Sequence, residues 1–260
     1  EIMKKFTKVV SLMLAAILMM ALCTACGDDS KKDDSTITFG TNAEFPPFEY
    51  VTAKGVIGEF DGIDMAIAKQ IGEDNGMEAK IENMEFDSLL LALENGQVDA
   101  VIAGMTITDE KKDAVDFSKP YYTAKQVMIV KEDSDIQKAS DMADKKIVVL
   151  QGFTGETCVN EMGYKYESFK KGTEAIMELV NGKCDVVVID SATAEKYVKD
   201  NEGLKIVEDN DAFEAEEYGI AVKKGNTELL DKINKSLDKM MEDGTISELS
   251  AKYAESSDAE

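Results

Sequence analysis

Residues 103–122 read AGMTITDEKKDAVDFSKPYY, and this stretch decides the fold of the chain. A short apolar run from Val101 to Ala103 breaks at Gly104 and leads into the Thr106 hydroxyl, clustered charges and a final aromatic pair. This pattern is typical of a buried strand that ends in a polar loop, the place where α/β sheets bind their ligands. The stretch therefore predicts an α/β sheet with a ligand site at the end of one strand.

The composition excludes several classes of function. The 260 residues carry 52 acidic and 29 basic side chains, and the formal net charge of -23 repels the phosphate backbone of nucleic acids. The sequence contains no histidine, which removes imidazole metal sites, histidine acid–base catalysis and nucleophiles activated by histidine. With 44% hydrophobic residues, the chain can form one large or two small globular domains. We expect no cofactor, no metal and no nucleic-acid partner.

The first residues predict an export signal. Three lysines precede an apolar run over residues 9–22, which is short for a membrane span. Small residues before Cys26 are similar to a bacterial lipobox, in which the cysteine takes a lipid and becomes the mature N-terminus. A plain cleaved signal peptide is the alternative. We predict a signal peptide over residues 1–26, lipidation at Cys26, and a flexible charged tether over residues 27–35.

Beyond residue 35, short apolar runs alternate with helical periodicities, which predicts a mostly parallel sheet flanked by helices. The predicted strands are residues 37–40, 78–82, 101–103, 127–130, 147–150, 166–169, 186–189, 205–207 and 219–222. The predicted helices are residues 62–72, 86–94, 156–162, 173–180, 192–200, 227–243 and 246–253.

A weak internal repeat suggests two similar halves. Residues 94–102 (ENGQVDAVI) and 180–188 (VNGKCDVVV) each combine a helix end, an Asn-Gly turn and a buried strand. The repeat places Gly104 and Asp190 at equivalent positions, just past the carboxyl end of a strand. Two halves that face each other across a cleft would present both positions to one ligand. Chance similarity of a common turn is the alternative.

Several motifs, in order along the chain, closely resemble those of the polar amino acid-binding proteins of bacterial ABC importers, solute-binding protein family 3. They are TNAEFPPFEY (residues 41–50), GID (62–64), residues 103–122, QGFTGE (151–156) and residues 185–190. The resemblance implies a two-lobed, α/β periplasmic-binding-protein type II fold with the ligand cleft between the lobes. It places lobe 1 at residues 36–124 and 218–256 and lobe 2 at residues 125–217, with hinge crossings near residues 124–126 and 216–218.

The same resemblance implies a ligand site. Its residues would be Asn42, Phe45, Ile63, Ala103, Gly104, Thr106, Lys111, Gly152, Phe153, Thr154 and Asp190. Lys111 stands where the family normally has the arginine that grips the ligand carboxylate, although the neighbouring Lys112 could compete for this role. Because lysine is a point charge and arginine a planar fork, we expect weaker or less selective carboxylate binding. Asp190 would bind the ammonium group, and an N-cap role on the next helix is its alternative.

The side chain of the ligand is less well defined by the sequence. Phe45 resembles the aromatic residue that stacks on the ligand in this family, and Phe153 could face it. Asn42 is neutral where binders of basic amino acids often carry an acid, which argues mildly against lysine or arginine as the ligand. Glu44 or Glu49 could compensate, and neutral ligands such as glutamine remain open.

The resemblance implies a monomeric extracytoplasmic protein, not an enzyme, that is lipid-anchored to the outer face of the cell membrane. It would capture a polar amino acid by hinge closure and deliver it to an ABC permease. One alternative is an enzyme similar to cyclohexadienyl dehydratases on the same fold, with Glu44 or Glu85 as general acid. Another is a sensor or scavenging lipoprotein that binds an amino acid without delivering it.

Two cysteines follow the signal region, Cys158 and Cys184. Outside the membrane they could form a disulfide. The alternative is a free thiol at Cys184 that acts as a small buried hydrophobe, because this residue matches the apolar Val98 in the repeat.

Overall fold

The computed structural model describes residues 35–255. The predicted signal peptide, the lipidation at Cys26 and the tether up to residue 34 lie outside the described residues. Within residues 35–255, no helix is long and apolar enough to cross a membrane.

Strands and helices alternate along the described chain. The strands are β1 (Thr36–Thr41), β2 (Glu44–Phe45), β3 (Glu49–Val51), β4 (Phe60–Asp61), β5 (Glu78–Asn83), β6 (Ala100–Val101), β7 (Val115–Phe117), β8 (Tyr122–Lys131), β9 (Ile147–Leu150), β10 (Tyr166–Phe169), β11 (Val186–Asp190), β12 (Leu204–Val207), β13 (Ala215–Tyr218) and β14 (Ala221–Lys223). The helices are α1 (Ile63–Asp74), α2 (Leu89–Glu94), α3 (Asp109–Ala114), α4 (Thr154–Glu161), α5 (Gly172–Val180), α6 (Ser191–Asp200), α7 (Thr227–Glu242) and α8 (Thr245–Glu255).

The first sheet has the strand order β5-β1-β6-β14-β7. Strands β5, β1 and β6 are parallel, and the chain reaches each next strand through a helix, α1 and then α2. Strand β14 pairs antiparallel with both β6 and β7. The sheet therefore combines strands from residues 36–117 with one strand, β14, from much later in the chain.

The second sheet has the order β10-β9-β11-β8-β12, with β13 also paired to β8. Strands β10, β9 and β11 are parallel, while β8 pairs antiparallel with β11, β12 and β13. The predicted α/β class is correct, but the prediction of a mostly parallel sheet is wrong. There are two mixed sheets, because several strands pair with a neighbour that runs the opposite way, without the helical crossover that a parallel neighbour requires.

Strand β8 follows β7 of the first sheet along the chain and belongs to the second sheet. Its first residues pair with β13, from Tyr122 opposite Tyr218 to Lys125 opposite Ala215. Its later residues enter the second sheet, where Gln126 lies opposite Asp190 at the end of β11. Strands β8 and β13 therefore form one antiparallel ladder, and this ladder ends directly beside Asp190.

The central strands of the second sheet are buried on both faces. Along β8, Val127 and Ile129 pack into one hydrophobic cluster, while Met128 and Val130 pack into another. This alternation follows from the two-residue period of a strand, and it explains why these strands form continuous apolar runs in the sequence.

The internal repeat is present in the structure. Helices α2 and α5 both end in an Asn-Gly turn, with Gly96 at φ +72° and Gly182 at φ +69°, a conformation that favours glycine. Val98 and Cys184, which occupy matching positions, are both buried. This supports the interpretation of Cys184 as a small hydrophobe in the core.

The predicted strand at residues 219–222 and part of the predicted strand at residues 101–103 are corrected. The first is replaced by β13 and β14, which are separated where the Gly219 amide donates to the Met105 carbonyl oxygen at 3.0 Å. The second ends at Val101, although Ile102 and Ala103 remain buried. The sequence pattern detected burial at these positions, but backbone bonds to neighbouring loops interrupt the ladders.

Helix α3 was not predicted from the sequence. The Thr108 hydroxyl accepts a hydrogen bond from the Lys111 amide at 3.2 Å and so caps the helix. Asp109 and Glu110 occupy its first turn, where negative charge stabilises the positive end of the helix. Its six residues carry no buried side chain, so the apolar periodicity that predicts helices is missing. The small sheet β2-β3-β4 was also missed, because its strands have only two or three residues.

Candidate functional site

The loop after β6 turns at Gly104. This residue has φ +50°, and a Cβ added there would lie 2.9 Å from the Phe45 ring. The Gly104 amide donates to Asp64 Oδ2 at 2.8 Å, and Ala103 before it is completely buried. A side chain at residue 104 would strain the backbone and collide with Phe45, so the turn needs glycine.

A chain of hydrogen bonds runs from this loop to the second sheet. The Thr154 hydroxyl donates to Thr106 Oγ1 at 2.9 Å, and the Thr106 hydroxyl donates to Glu216 Oε2 at 2.6 Å. Gln126 Nε2 donates to the other oxygen of Glu216, Oε1, at 2.7 Å. Glu216, on β13, therefore links the loop after β6 to strand β8.

Asp190 lies at the end of β11 with 2% of its surface exposed. Its carboxylate accepts a hydrogen bond from the Tyr218 hydroxyl. Burial, followed by the nearby charge of Glu216, raises the pKa of Asp190 to about 7, although hydrogen bonds from Tyr218 and Gln126 act in the opposite direction. Asp190 precedes α6, but its side chain makes no capping hydrogen bond, so the structure does not support the N-cap alternative.

Tyr218 brings the two equivalent positions of the repeat together. Its ring would lie 3.5 Å from a Cβ placed on Gly104, while its hydroxyl reaches Asp190. The two strand ends therefore face one region, as the repeat predicts.

Of the two adjacent lysines, Lys111 faces this region. Its ammonium donates to the carbonyl oxygen of Thr106 at 3.1 Å. Burial lowers the pKa of Lys111, and the charges of Glu216 and Asp190 act in the opposite direction. Lys112 is exposed and pairs with Asp109 at 3.0 Å. The structure thus places one cation beside two carboxylates.

Three aromatic rings pack against each other beside this cluster: Phe153, which follows β9 of the second sheet, contacts Phe45 and Phe86. The Phe153 ring lies 4.0 Å from that of Phe86 and 5.0 Å from that of Phe45, measured between ring centroids. Phe153 is 5% exposed and Phe45 is completely buried. These rings form an apolar wall beside the polar cluster.

The turn before α4 contributes Gly152 and Thr154. The Gly152 amide donates to Glu156 Oε2 at 2.7 Å, so this donor already has a partner within the protein. Thr154 begins α4, and the first amides of a helix attract anions. The amides at the N-terminal end of α4 would therefore stabilise a ligand carboxylate bound here.

The remaining predicted residues make structural contacts. Asn42 is buried, and its Nδ2 donates to the Met84 carbonyl oxygen at 2.9 Å. Ile63 is also buried and borders a separate cavity of about 200 Å³. Their predicted ligand roles stay predictions.

A cavity of about 510 Å³ opens beside Lys111. The predicted site residues that line it are Lys111, Gly152 and Thr154. Its remaining lining residues include Phe86 and three acids, Asp87, Glu110 and Glu161. Carboxylates therefore outnumber ammonium groups three to one among its lining side chains.

Sequence reasoning missed Glu216, Gln126 and Tyr218 as members of the polar cluster. A signal was present for all three, because the chain crossings were predicted near residues 124–126 and 216–218. A charged residue at the point where the chain passes between two lobes must lie close to the cleft. The bonds that draw Glu216 inward, from Thr106 and Gln126, depend on residues about 90 to 110 positions away and have no local pattern.

Residues 35–255 contain no cluster of side chains suited to a metal ion. Both Cys158 and Cys184 are free thiols, so the disulfide alternative is not supported.

Glu44 and Glu49 are the two acids that could compensate for the neutral Asn42. Glu44 pairs with Lys171 at 2.9 Å, and Glu49 is completely buried.

Two helix-flanked sheets, joined by a strand ladder and meeting at a shared polar cluster, define a two-lobed solute-binding protein. The model of the bacterial extracellular solute-binding proteins, family 3, matches residues 37–256, and the chain belongs to this family.

Named relatives agree with this assignment. The arginine-binding extracellular protein ArtP of Bacillus subtilis is 35% identical over 250 residues, which are 93% of this chain and 96% of ArtP. The glutamine-binding protein GlnH of the same organism is 30% identical over 277 residues, covering 99% of this chain and 100% of GlnH. The crystal structure of the arginine-, lysine-, histidine-binding protein ArtJ from Geobacillus stearothermophilus has a TM-score of 0.78 at 35% identity, covering 84% of this chain and 94% of ArtJ.

Proposed function

We propose that this protein captures a polar amino acid, preferentially one with a cationic side chain, and delivers it to an ABC importer. The relatives are named as binding proteins for arginine, histidine, glutamine or cystine, so their names leave the side chain open. The observation that carries the proposal is the convergence of Asp190, Glu216 and Lys111 at the junction of the two sheets.

The ammonium group of the ligand would bind the two carboxylates. Asp190 is buried beside Glu216, and two neighbouring carboxylates favour a bound cation because it relieves their mutual repulsion. An ammonium carries three donors, enough to bind both side chains. The Tyr218 hydroxyl would keep Asp190 oriented towards it.

The carboxylate of the ligand would bind near Lys111 and the N-terminal end of α4. Lys111 already donates to the Thr106 carbonyl oxygen, and the Thr154 hydroxyl already donates to Thr106. These donors would exchange their protein partners for the ligand oxygens. A single lysine supplies the charge, but without the planar fork of an arginine it would hold the carboxylate less rigidly.

The side chain of the ligand would extend into the cavity beside Lys111. The Phe86 ring supplies an apolar wall for a long aliphatic stem, and Asp87, Glu110 and Glu161 supply negative charge for its end. This charge pattern favours a cationic side chain, although the neutral Asn42 would by itself favour a neutral one.

Binding would close two lobes around the ligand. We assign lobe 1 to residues 36–124 and 218–256 and lobe 2 to residues 125–217, with hinges in the β8–β13 ladder. Thr106 and Thr154 lie on opposite sides of this boundary and bond to each other, so a ligand between them would contact both lobes.

We further propose that the protein is a monomer held at the outer face of the membrane by a lipid on Cys26. Turnover is not expected, because the two acids considered for a dehydratase are both ion-paired. Glu44 pairs with Lys171 at 2.9 Å and Glu85 with Lys170 at 3.7 Å, so each carboxylate already has a lysine partner within the protein.

Titration calorimetry with arginine, lysine, glutamine and glutamate tests the ligand class. We expect the two cationic amino acids to bind most tightly and glutamate not to bind. Glu161→Gln removes one exposed acid from the cavity and should weaken arginine by roughly 2- to 5-fold while leaving glutamine unchanged. Glu202→Gln, an exposed acid outside the cavity lining, is the matched control. Tighter binding of glutamine or glutamate than of arginine would contradict the proposed preference.

A further inference from the structure

Two carboxyl groups are completely buried behind the loop that carries Gly104. Glu49 lies on β3 and Asp64 on α1, and both have 0% of their surface exposed. Oδ2 of Asp64 accepts two hydrogen bonds, from the Gly104 amide at 2.8 Å and from the Tyr121 hydroxyl at 2.9 Å. Asp64 therefore holds both the turn of the loop and Tyr121, the residue directly before β8.

Three other oxygens of this pair have no donor among the described residues. They are both carboxyl oxygens of Glu49 and Oδ1 of Asp64. Leaving two buried carboxylates ionised and unpaired would be strongly unfavourable. The two groups lie within hydrogen-bonding reach of each other, so one proton on Glu49 would give Asp64 a third donor.

The groups that face the pair favour this arrangement. Burial raises the pKa of Glu49 well above its usual value, and the charges of Asp64 and Asp190 raise it further. Burial also raises the pKa of Asp64, but the bonds from Gly104, Tyr121 and Glu49 act in the opposite direction and hold it to about 7. The pKa of Tyr121 is raised well above its usual value, so its hydroxyl stays a donor. The proton therefore belongs on Glu49, and Asp64 is the member that ionises.

We propose that Glu49 and Asp64 share one proton and act together as positioning residues, fixing the Gly104 turn of the binding loop from behind. Neither residue touches the ligand in this arrangement. Glu49 donates to Asp64, and Asp64 then holds the Gly104 amide against the Phe45 ring. Loss of the shared proton leaves two adjacent buried anions, whose repulsion displaces Asp64 and with it the turn.

The protonation state can be measured without any ligand. Carboxyl carbon NMR of the protein labelled at aspartate and glutamate should show one glutamate that stays protonated at about pH 7.5, where exposed glutamates are ionised. The signal is assigned by its loss in Glu49→Gln. If the Glu49 carboxyl is ionised at this pH, or titrates like an exposed glutamate, the shared proton is excluded. Sequential assignment from the backbone to the Glu49 carboxyl carbon in the wild type gives the same answer even if the variant fails to fold.

A second experiment measures the effect on the binding loop, and it rests on the proposed amino acid binding. Arginine affinity is compared for wild type, Glu49→Gln and Glu49→Met between about pH 7 and pH 9. The glutamine amide can donate to Asp64 without a titratable proton, whereas methionine has a similar shape and no donor. Glu59→Gln, at an exposed position, is the control.

We expect Glu49→Met to bind arginine at least tenfold more weakly than Glu49→Gln at about pH 7.5. As the pH rises, wild type should lose more affinity than Glu49→Gln, while Lys111 and the ligand amino group titrate equally in both. Equal affinities of the two variants would overturn the positioning role, and so would equal alkaline losses in wild type and Glu49→Gln at a pH where the NMR signal shows that Glu49 has lost its proton. If wild type binds no amino acid at all, the proposed function fails, and the NMR result still decides the shared proton.

Discussion

Amino acid affinity should depend steeply on pH below neutrality because of Asp190. Burial and Glu216 raise the pKa of its carboxyl from 3.8 to about 7. Only the ionised form can pair with an ammonium group, so binding must first remove a proton at low pH. The apparent affinity is then proportional to the ionised fraction, which is about 1% at pH 5 and about 90% at pH 8.

The size of the effect follows from these fractions. Arginine should bind about 90-fold more weakly at pH 5 than at pH 8, approaching a tenfold loss for each pH unit below the pKa. Asp190→Asn keeps the shape of the side chain and an acceptor for the Tyr218 hydroxyl but removes the charge. At about pH 8 it should cost about 3 kcal/mol of binding free energy, or roughly 150-fold in affinity.

The Asp190 carboxyl also makes the stability of the ligand-free protein depend on pH, but here a rise in pH is unfavourable. Because its pKa is raised on folding, its contribution to the stability of the ligand-free protein is full below pH 3.8 and is lost as the pH rises to about 7. Asp190→Asn should therefore reduce the loss of stability over this range, which thermal unfolding can measure.

The assay is titration calorimetry with arginine from about pH 5 to pH 8, a range in which the ligand itself does not titrate. Asp190→Asn should bind weakly and with a nearly flat pH profile, whereas the matched control Asp231→Asn, at an exposed position of α7, should follow wild type. A steep profile that survives in Asp190→Asn, or wild-type affinity in that variant, would refute the reasoning.

Three further predictions concern other parts of the molecule. Lys111→Arg should strengthen arginine binding, because a planar fork can hold both carboxylate oxygens, and Lys111→Met should weaken it about tenfold, with exposed Lys112→Met unchanged in calorimetry. Phe153→Ala removes the ring that packs at 4.0 Å and 5.0 Å on its neighbours and should weaken binding roughly 30-fold, about 2 kcal/mol, with Phe153→Leu intermediate. Burial raises the pKa of the Cys158 thiol to about 11 and that of Cys184 to about 12. Both should therefore alkylate slowly at neutral pH in a chain lacking residues 1–26, and reductant should not change its melting temperature.

Much of the fold could be predicted from the sequence. Strands such as β9 and β11 contain short, continuous apolar runs, which are followed by polar residues, Gln151 and Asp190, and α7 has a strong apolar periodicity. The elements that escaped prediction, such as α3 and the strands β2 to β4, are too short to show a period. The antiparallel pairings escaped because strand direction depends on the path of the chain rather than on local composition.

The candidate site was only partly predictable. Lys111 and Asp190 could be named because each follows a recognisable motif, and the structure brings them close together through Glu216. Glu216 and the Glu49–Asp64 pair could not be placed, because their partners are distant in sequence. Buried acids also have no signature in a chain with 52 acidic residues, most of which are expected to be solvated.

An experimental structure of the complex with arginine is the most direct test of the central claim. The account predicts that the α-ammonium lies within hydrogen-bonding distance of the Asp190 carboxylate, that the α-carboxylate lies beside the Lys111 ammonium, and that the guanidinium points towards Asp87, Glu110 and Glu161. A ligand bound in the reverse orientation, or bound outside the junction of the two sheets, would contradict it.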